Sequence, residues 1–347
     1  MNKLTKVGCS ALCGSLAAIS AANAGDLSVT GGADLTYLSQ GGAVTGNPIG
    51  MASAVTFKGS GELDNGWTFD VVIAEGDGVA YSAARIALTM GGLGTLEFDQ
   101  GNSGNGIAAY DNVLPTAWEE AHGAGLSGGV KTVMGIGNSS NVQWTLPTVL
   151  GATVNLAYAH EVGTTDNADK TASGPSNTST GKGYDATIKI NPSLGTEILS
   201  GLNLYVGAST IEQYDNGNTL EDKYEGVGAI VYALGPVEVG AMWSGLYDGN
   251  ETGGTYHTYK NHGFGVAFNV SDDLSVSYGE YQSRKAGANN NSAYGGPEDR
   301  VVEVNSWQAA YTMGGASFRI ADVKVDNALW ARDDDQNATI VSMGLAF

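Results

Sequence analysis

The side chains able to do chemistry gather in one irregular stretch, Gly101 to about Gly137, which reads GNSGNGIAAYDNVLPTAWEEAHGAGLSGGVKTVMGIG. It carries three carboxylates, Asp111, Glu119 and Glu120, and one imidazole, His122. Carboxylates beside an imidazole are the material of acid–base catalysis, so a hydrolase-type set is weighed first. None of the four histidines, His122, His160, His257 and His262, sits in a recognisable motif, and a solvated loop histidine accounts for them more simply. The second chemistry is electrostatic, because a crowd of carboxylates attracts cations. Acid-rich runs at Asp333-Asp334-Asp335 and Glu221-Asp222 offer oxygen ligands of the kind Ca2+ takes. They lack EF-hand spacing, and a solvated acidic rim explains them more simply. The glycines of Gly101–Gly106 are not followed by the lysine of a phosphate-binding loop, which argues against a nucleotide site. No cofactor is expected.

What positions that stretch is the rest of the chain, which begins with an export signal. Met1-Asn2-Lys3-Leu4-Thr5-Lys6 is basic, Val7 to about Ile19 is apolar, and Ala22-Asn23-Ala24 fits the cleavage rule, so residues 1–24 are expected to leave and Gly25 to become the N-terminus. The apolar run is short and rich in Ser and Gly, too little for a membrane anchor. Cys9 and Cys13 leave with it; Leu12 before Cys13 is not the small residue a lipidation site wants. The mature chain therefore holds no disulfide and no cysteine metal site.

The chain has 16 basic and 36 acidic residues, and losing Lys3 and Lys6 leaves 14 against 36, a net of −22. That disfavours nucleic acid, whose phosphates want Lys and Arg. The 52 glycines follow no collagen period. No mature segment approaches the ~18 continuous apolar residues of a membrane helix, so a membrane-spanning form has to be a closed barrel, in which every backbone group is paired.

Strict alternation over short segments recurs along residues 25–347. Leu27, Val29, Gly31, Ala33, Leu35 and Tyr37 share one face against Asp34 and its polar neighbours. Val55, Phe57, Gly59, Gly61 and Leu63 alternate with Lys58 and Glu62, turn at Asp64-Asn65-Gly66, and return as Trp67, Phe69, Val71 and Ile73 opposite Asp70. Similar segments carry Arg85, Glu97 with Asp99, Asp185 with Lys189, Glu238 and Arg319 on the polar parity. For Tyr224–Leu234 both parities are acceptable, and the link from Asn191 to Gly201 is longer than its counterparts, for which the sequence offers no reason. About sixteen strands fit the 323 mature residues. Short connections near residues 64, 92, 148, 235, 272 and 314 alternate with long polar ones, and with an even count both termini fall on the short-turn side.

In the segments assigned, no charged residue lies mid-strand on the apolar face, where a lipid-facing Lys or Arg would cost ~2–4 kcal/mol. The other face holds charges that a dry core could not house. Aromatics including Tyr37, Trp67, Trp144, Tyr158, Trp243, Tyr278, Trp307 and Phe347 stand near strand ends on the apolar face, where interfacial girdles form. The fold class expected is all-β: a closed antiparallel transmembrane β-barrel of about 16 strands enclosing an aqueous bore, with Gly101–Gly137 folded inward to narrow it.

Several segments resemble the general porins of Gram-negative outer membranes, particularly the alphaproteobacterial type. They are Leu63-Asp64-Asn65-Gly66-Trp67, the Asn138–Trp144 run NSSNVQW, Ala233-Leu234-Gly235-Pro236-Val237, the Asp272–Gly279 run DDLSVSYG, Ala310-Tyr311-Thr312-Met313-Gly314-Gly315, and the terminal Gly344-Leu345-Ala346-Phe347. Together they span nearly the whole mature chain. The resemblance implies a sixteen-stranded barrel, usually trimeric, in the outer membrane. It also implies a third external loop folded inward as a constriction, here Gly101–Gly137 with Asp111, Glu119 and Glu120, and a C-terminal Phe347 read by the barrel-insertion machinery. The facing wall cluster would be Lys58, Arg85, Lys189 and Arg319, which is thin for such a protein; the other charged wall positions are Asp34, Glu62, Asp70, Glu97, Asp99 and Glu238. Small outward residues Gly31, Ala33, Gly59 and Gly61 are candidates for the trimer contact. The function expected is a water-filled channel for passive diffusion of small hydrophilic solutes and ions, cation-preferring from the acid excess. The alternatives are a solute-specific outer-membrane channel and, behind it, a barrel adhesin or enzyme.

Overall fold

The computed structural model describes residues 25–41, 47–77, 79–101, 104–126, 128–164, 180–192, 197–214, 221–249, 257–287 and 300–347. The expected signal, residues 1–24, lies outside the described residues.

The alternating segments form sixteen strands: β1 (Leu27–Gln40), β2 (Ile49–Glu62), β3 (Thr68–Gly76), β4 (Val79–Thr89), β5 (Thr95–Asp99), β6 (Asn141–Thr145), β7 (Ala152–Ala159), β8 (Thr180–Ile190), β9 (Leu202–Gln213), β10 (Lys223–Leu234), β11 (Val237–Tyr247), β12 (His257–Asn269), β13 (Leu274–Gly287), β14 (Arg300–Met313), β15 (Ala316–Asp326) and β16 (Gln336–Ala346). Each pairs antiparallel with its neighbours in sequence, and β1 pairs with β16, so the sheet closes. The seam ends on Phe347, whose N–H donates to the Gly31 carbonyl at 2.9 Å while Gly31 N–H donates back at 3.0 Å. Closure leaves no edge, which is what a sheet in lipid requires.

The period-2 pattern decides what faces out. Leu35, Tyr37, Phe57, Ile86, Phe98, Trp144, Val206, Trp243, Phe264, Trp307 and Phe318 are all exposed although apolar. A soluble sandwich would bury them; here they form the outer surface of the tube. The Asn65-Gly66 turn forms as its residues dictate, with Gly66 at φ +79° and Asn65 Oδ1 accepting from Trp67 N–H at 3.1 Å.

Three features differ from, or complete, the sequence reading. The strands on the β12–β15 side run further than their apolar stretches. Tyr278 pairs with Trp307 and Trp307 with Asp322, so Asp322 lies on the outer face, as do Glu280, Arg284, Glu303 and Lys324 beyond it. The apolar band thus gives way to charge on the same face, because backbone pairing continues past the hydrocarbon into water. In β10 the facing is settled by pairing: Gly228 lies opposite Trp243, so even-numbered residues point out and Val227, Ala229 and Val231 point in. The long link after β8 contains a one-turn helix, Glu197–Ser200. Asn191 Nδ2 ties it down through the carbonyls of Ser200 and Leu202 at 3.3 and 3.1 Å.

Candidate functional site

Strands β5 and β6 are only five residues each. The chain between them, residues 100–140, turns into the tube rather than away from it. The reason is visible on the inner wall, which is not uniformly polar. From β10 to β16 it presents Val227, Met242, Val302, Val304, Ala321, Val323, Val325 and Ile340, all buried. The loop supplies Ile107, Ala124, Leu126, Val133 and Ile136 to cover them and the neighbouring wall, and these are buried too. Each large side chain so covered stabilises the docked loop by about 1.5–3 kcal/mol. Room is made by inner-face glycines. A Cβ at Gly240 would stand 2.7 Å from Pro115 Cδ, and one at Gly263 would stand 2.8 Å from Leu114 Cδ1.

Polar wall residues then anchor the loop's backbone. Asp185 Oδ2 on β8 accepts from Ile107 N–H at 2.8 Å and from Ile136 N–H at 3.3 Å, so one carboxylate holds the outgoing and the returning pass together. Glu225 on β10 accepts from Met134 and Gly135 N–H at 2.6 and 2.9 Å. Gln308 on β14 accepts from Trp118 and Glu119 N–H and donates to the Glu119 carbonyl at 2.8 Å. Ser277 on β13 accepts from Ala117 N–H at 2.8 Å, and Asn261 on β12 donates to the Lys131 carbonyl at 2.6 Å. Sequence reasoning missed this set. Its only sequence signal is a polar residue at inner parity between small or apolar neighbours, as in Gly183-x-Asp185-x-Thr187.

The loop therefore covers the wall from β6 round to β16. On the other side inner-face residues stay open: Ala52, Ala54, Lys58, Thr68 and Thr89 are exposed. An open cavity of about 510 Å3 there is lined in part by Asp34, Ala52, Ala54, Arg319 and Gly344. The remaining aperture lies between the loop and β1–β5.

Charges on its two sides are arranged differently. On the wall, Lys58 Nζ is 3.6 Å from Asp70 Oδ1, Arg85 is 3.4 Å from Asp70 and 2.8 Å from Glu97, and Arg319 pairs with Asp34. Each wall base on this side thus has a wall acid. Arg319 also lies 5.2 Å from the centre of the Trp118 ring, fastening loop to wall. On the loop, Glu119, Glu120 and Asp111 come together. Burial raises the Glu119 carboxyl above its ordinary range, Glu120 adds to that, and Arg319 opposes it. Burial raises Asp111 as well; the Asn112 N–H, 2.7 Å from its Oδ1, opposes this, and Glu120 raises it further.

Other sequence candidates fall elsewhere. Asp99 has inner parity but is fully enclosed at the root of the loop, with Asn141 Nδ2 3.4 Å away, so it does not line the aperture. Its strand ends where the loop begins, and the loop covers it. Lys189 sits over the Tyr205 ring at 5.4 Å. Glu62 ends β2 and Glu238 is the second residue of β11, both at the short-turn rim. Asp335 is used in its own loop, accepting from Asn327 N–H at 3.1 Å, and Glu221 accepts from Tyr247 Oη. Among the described residues no three or more His, Asp or Glu side chains form a metal-holding group.

A family model for Gram-negative porins matches residues 8–297. Among solved structures, OmpF of Salmonella typhi is 12% identical with a TM-score of 0.66, over 92% of this chain and 97% of that one. OmpT of Vibrio cholerae, described in a trimer form, is 10% identical with a TM-score of 0.63, over 94% and 100%. An anion-selective porin from Comamonas acidovorans is 12% identical with a TM-score of 0.60, over 93% and 100%. No curated protein matches the chain. At these identities the structures share the fold with it.

Proposed function

Since the chain belongs to the Gram-negative porin family, and is thus a non-enzymatic outer-membrane channel for passive diffusion, we propose that its pore prefers cations among the small hydrophilic solutes and ions it passes. The observation that carries this is the pairing on the wall. Lys58–Asp70–Arg85–Glu97 and Arg319–Asp34 leave the wall near neutral, while Asp111, Glu119 and Glu120 place an acid excess on the loop. A narrow ring with one sign of charge selects by that sign. A neighbour of the same fold is described as anion-selective, so selectivity has to be read from such residues rather than from the barrel. Liposome-swelling rates test the proposal. A zwitterionic or neutral solute should enter steadily, and a small cationic solute should enter faster than an anionic one of equal size. Faster entry of the anion would refute the cation preference.

The same reading includes a homotrimer. On β1 and β2 the outward apolar residues continue to the strand ends: Tyr37, Ile49 and Met51 are exposed there, Met51 at 75%. On β13 the corresponding outer positions are Glu280, Gln282 and Arg284. Apolar surface at the height where the far wall is charged is best covered by another copy of the chain. The small Gly31, Ala33, Gly59 and Gly61 lie on the same face, and OmpT of Vibrio cholerae is described in a trimer form.

A further inference from the structure

The tip of the inward loop, Glu120–Gly125, places one imidazole against the barrel wall. The His122 ring lies 4.8 Å from the Tyr281 ring on β13, tilted by 41°. Its Nδ1 is enclosed and has no hydrogen-bond partner. Tyr281 is 1% exposed and belongs to the buried cluster with Met242 and Tyr259. Beside it, Ala121 Cβ stands 3.0 Å from where Gly279 would carry a Cβ, so the tip presses on a glycine of the same strand.

The tip's backbone bonds are local: Gly123 and Ala124 N–H donate to the Glu120 carbonyl, and Gly125 N–H to that of Gly123. Its shoulders are fixed instead. Trp118 and Glu119 hang on Gln308, and the Gly128 carbonyl accepts from Leu329 N–H at 2.7 Å. Between these anchors, Gly125 takes φ +79° and lies close on β16, where a Cβ would stand 2.6 Å from Ile340 Cδ1. The docked tip is held by Ala121 and His122 against β13 and by Ala124, which is buried with Val302, Val323 and Ile340.

A neutral imidazole fits this site and an imidazolium does not. Protonation makes Nδ1 a charged donor with nothing to donate to, in an enclosed place. Burial accordingly pushes the His122 pKa below its ordinary value, with Glu120 opposing. The charged and titratable groups around the tip are Glu120 on the tip itself, Asp111 on the outgoing pass, Tyr281 from β13, and Glu119, Arg319 and Asp34 at the adjoining aperture. Because the docked pKa is the lower one, the undocked tip binds the proton more tightly. Docking is thus fully favoured above the ordinary imidazole value and loses stability as pH falls below it.

We propose that His122 is a proton-operated latch on the loop tip: neutral, it holds the tip on Tyr281; protonated, it releases the tip into the aperture beside β1–β5 and lowers conductance. This rests on the channel reading above. Planar-bilayer recordings of the wild-type chain at about pH 7.5 and about pH 5 should show the closed-time fraction rising roughly fivefold or more in acid. In His122→Gln and His122→Asn it should change less than about twofold. In Glu120→Gln the acid step should persist with a higher midpoint, since a neighbour that stabilises the imidazolium in the docked tip is gone. An acid step abolished by Glu120→Gln, or kept unchanged in both His122 variants, overturns the latch, as does a wild-type pore indifferent to pH. Absence of any conductance at neutral pH in the wild-type chain would overturn the channel reading as well.

Discussion

The proposed cation preference rests on Glu119 and Glu120 standing on the loop beside an aperture whose wall bases already have partners. Replacing both by glutamine should lower the cation-to-anion permeability ratio severalfold while single-channel conductance changes much less, as read from zero-current potentials. Arg319→Ala should do the opposite. It strips the partner from Asp34 and the cation from Trp118, so cation preference should rise in the same measurement. The raised Glu119 and Asp111 carboxyls fix a pH dependence. A carboxyl with a raised pKa takes up its proton at higher pH than a free one, so cation preference should begin to fall, on acidification, before ordinary carboxylates titrate. These acids were legible in the sequence by type and place, and the wall bases by parity. The anchors were not. Asp185 serves Ile107 N–H across 78 residues and Glu225 serves Met134 N–H across 91, and a backbone donor leaves no trace in residue type.

Each strand is one alternating segment, and the loop is a long segment without alternation. That contrast makes both visible in the sequence, because a side-chain period of two is imposed by the strand itself. Strand ends were less visible. Beyond Tyr278 and Ile320 the outward face turns to Glu280 and Asp322, and a polar outer residue breaks the alternating pattern without breaking the backbone ladder. What fastens the loop was also hidden, since it depends on which inner positions are small or apolar on strands far away. Asp185→Ala tests this fastening. It removes the acceptor shared by the two passes and leaves enclosed N–H groups at Ile107 and Ile136 unpaired, at about 1–3 kcal/mol each. The expected result is a proteolytically accessible loop and noisier single-channel current, with the barrel's strand content unchanged by circular dichroism.

The tube as a whole puts an apolar band outside, a wetted strip inside along β1–β5, and a dry inner seam where the loop lies on β6–β16. The outer band makes the fold depend on lipid. Ile188→Arg, on the outer face of β8, should cost ~2–4 kcal/mol in urea unfolding from lipid vesicles, whereas Thr89→Arg, on the wetted strip, should cost far less. The band's unusual height on β1 and β2 carries the assembly prediction. Met51→Glu should shift unheated electrophoretic migration from oligomer to monomer, and an oligomer that survives it would move the contact elsewhere on the barrel. The most direct test of cation preference is the zero-current potential of the wild-type channel across a KCl gradient at neutral pH. A potential of the sign that K+ selectivity gives is expected, and a potential of the opposite sign would refute the cation preference.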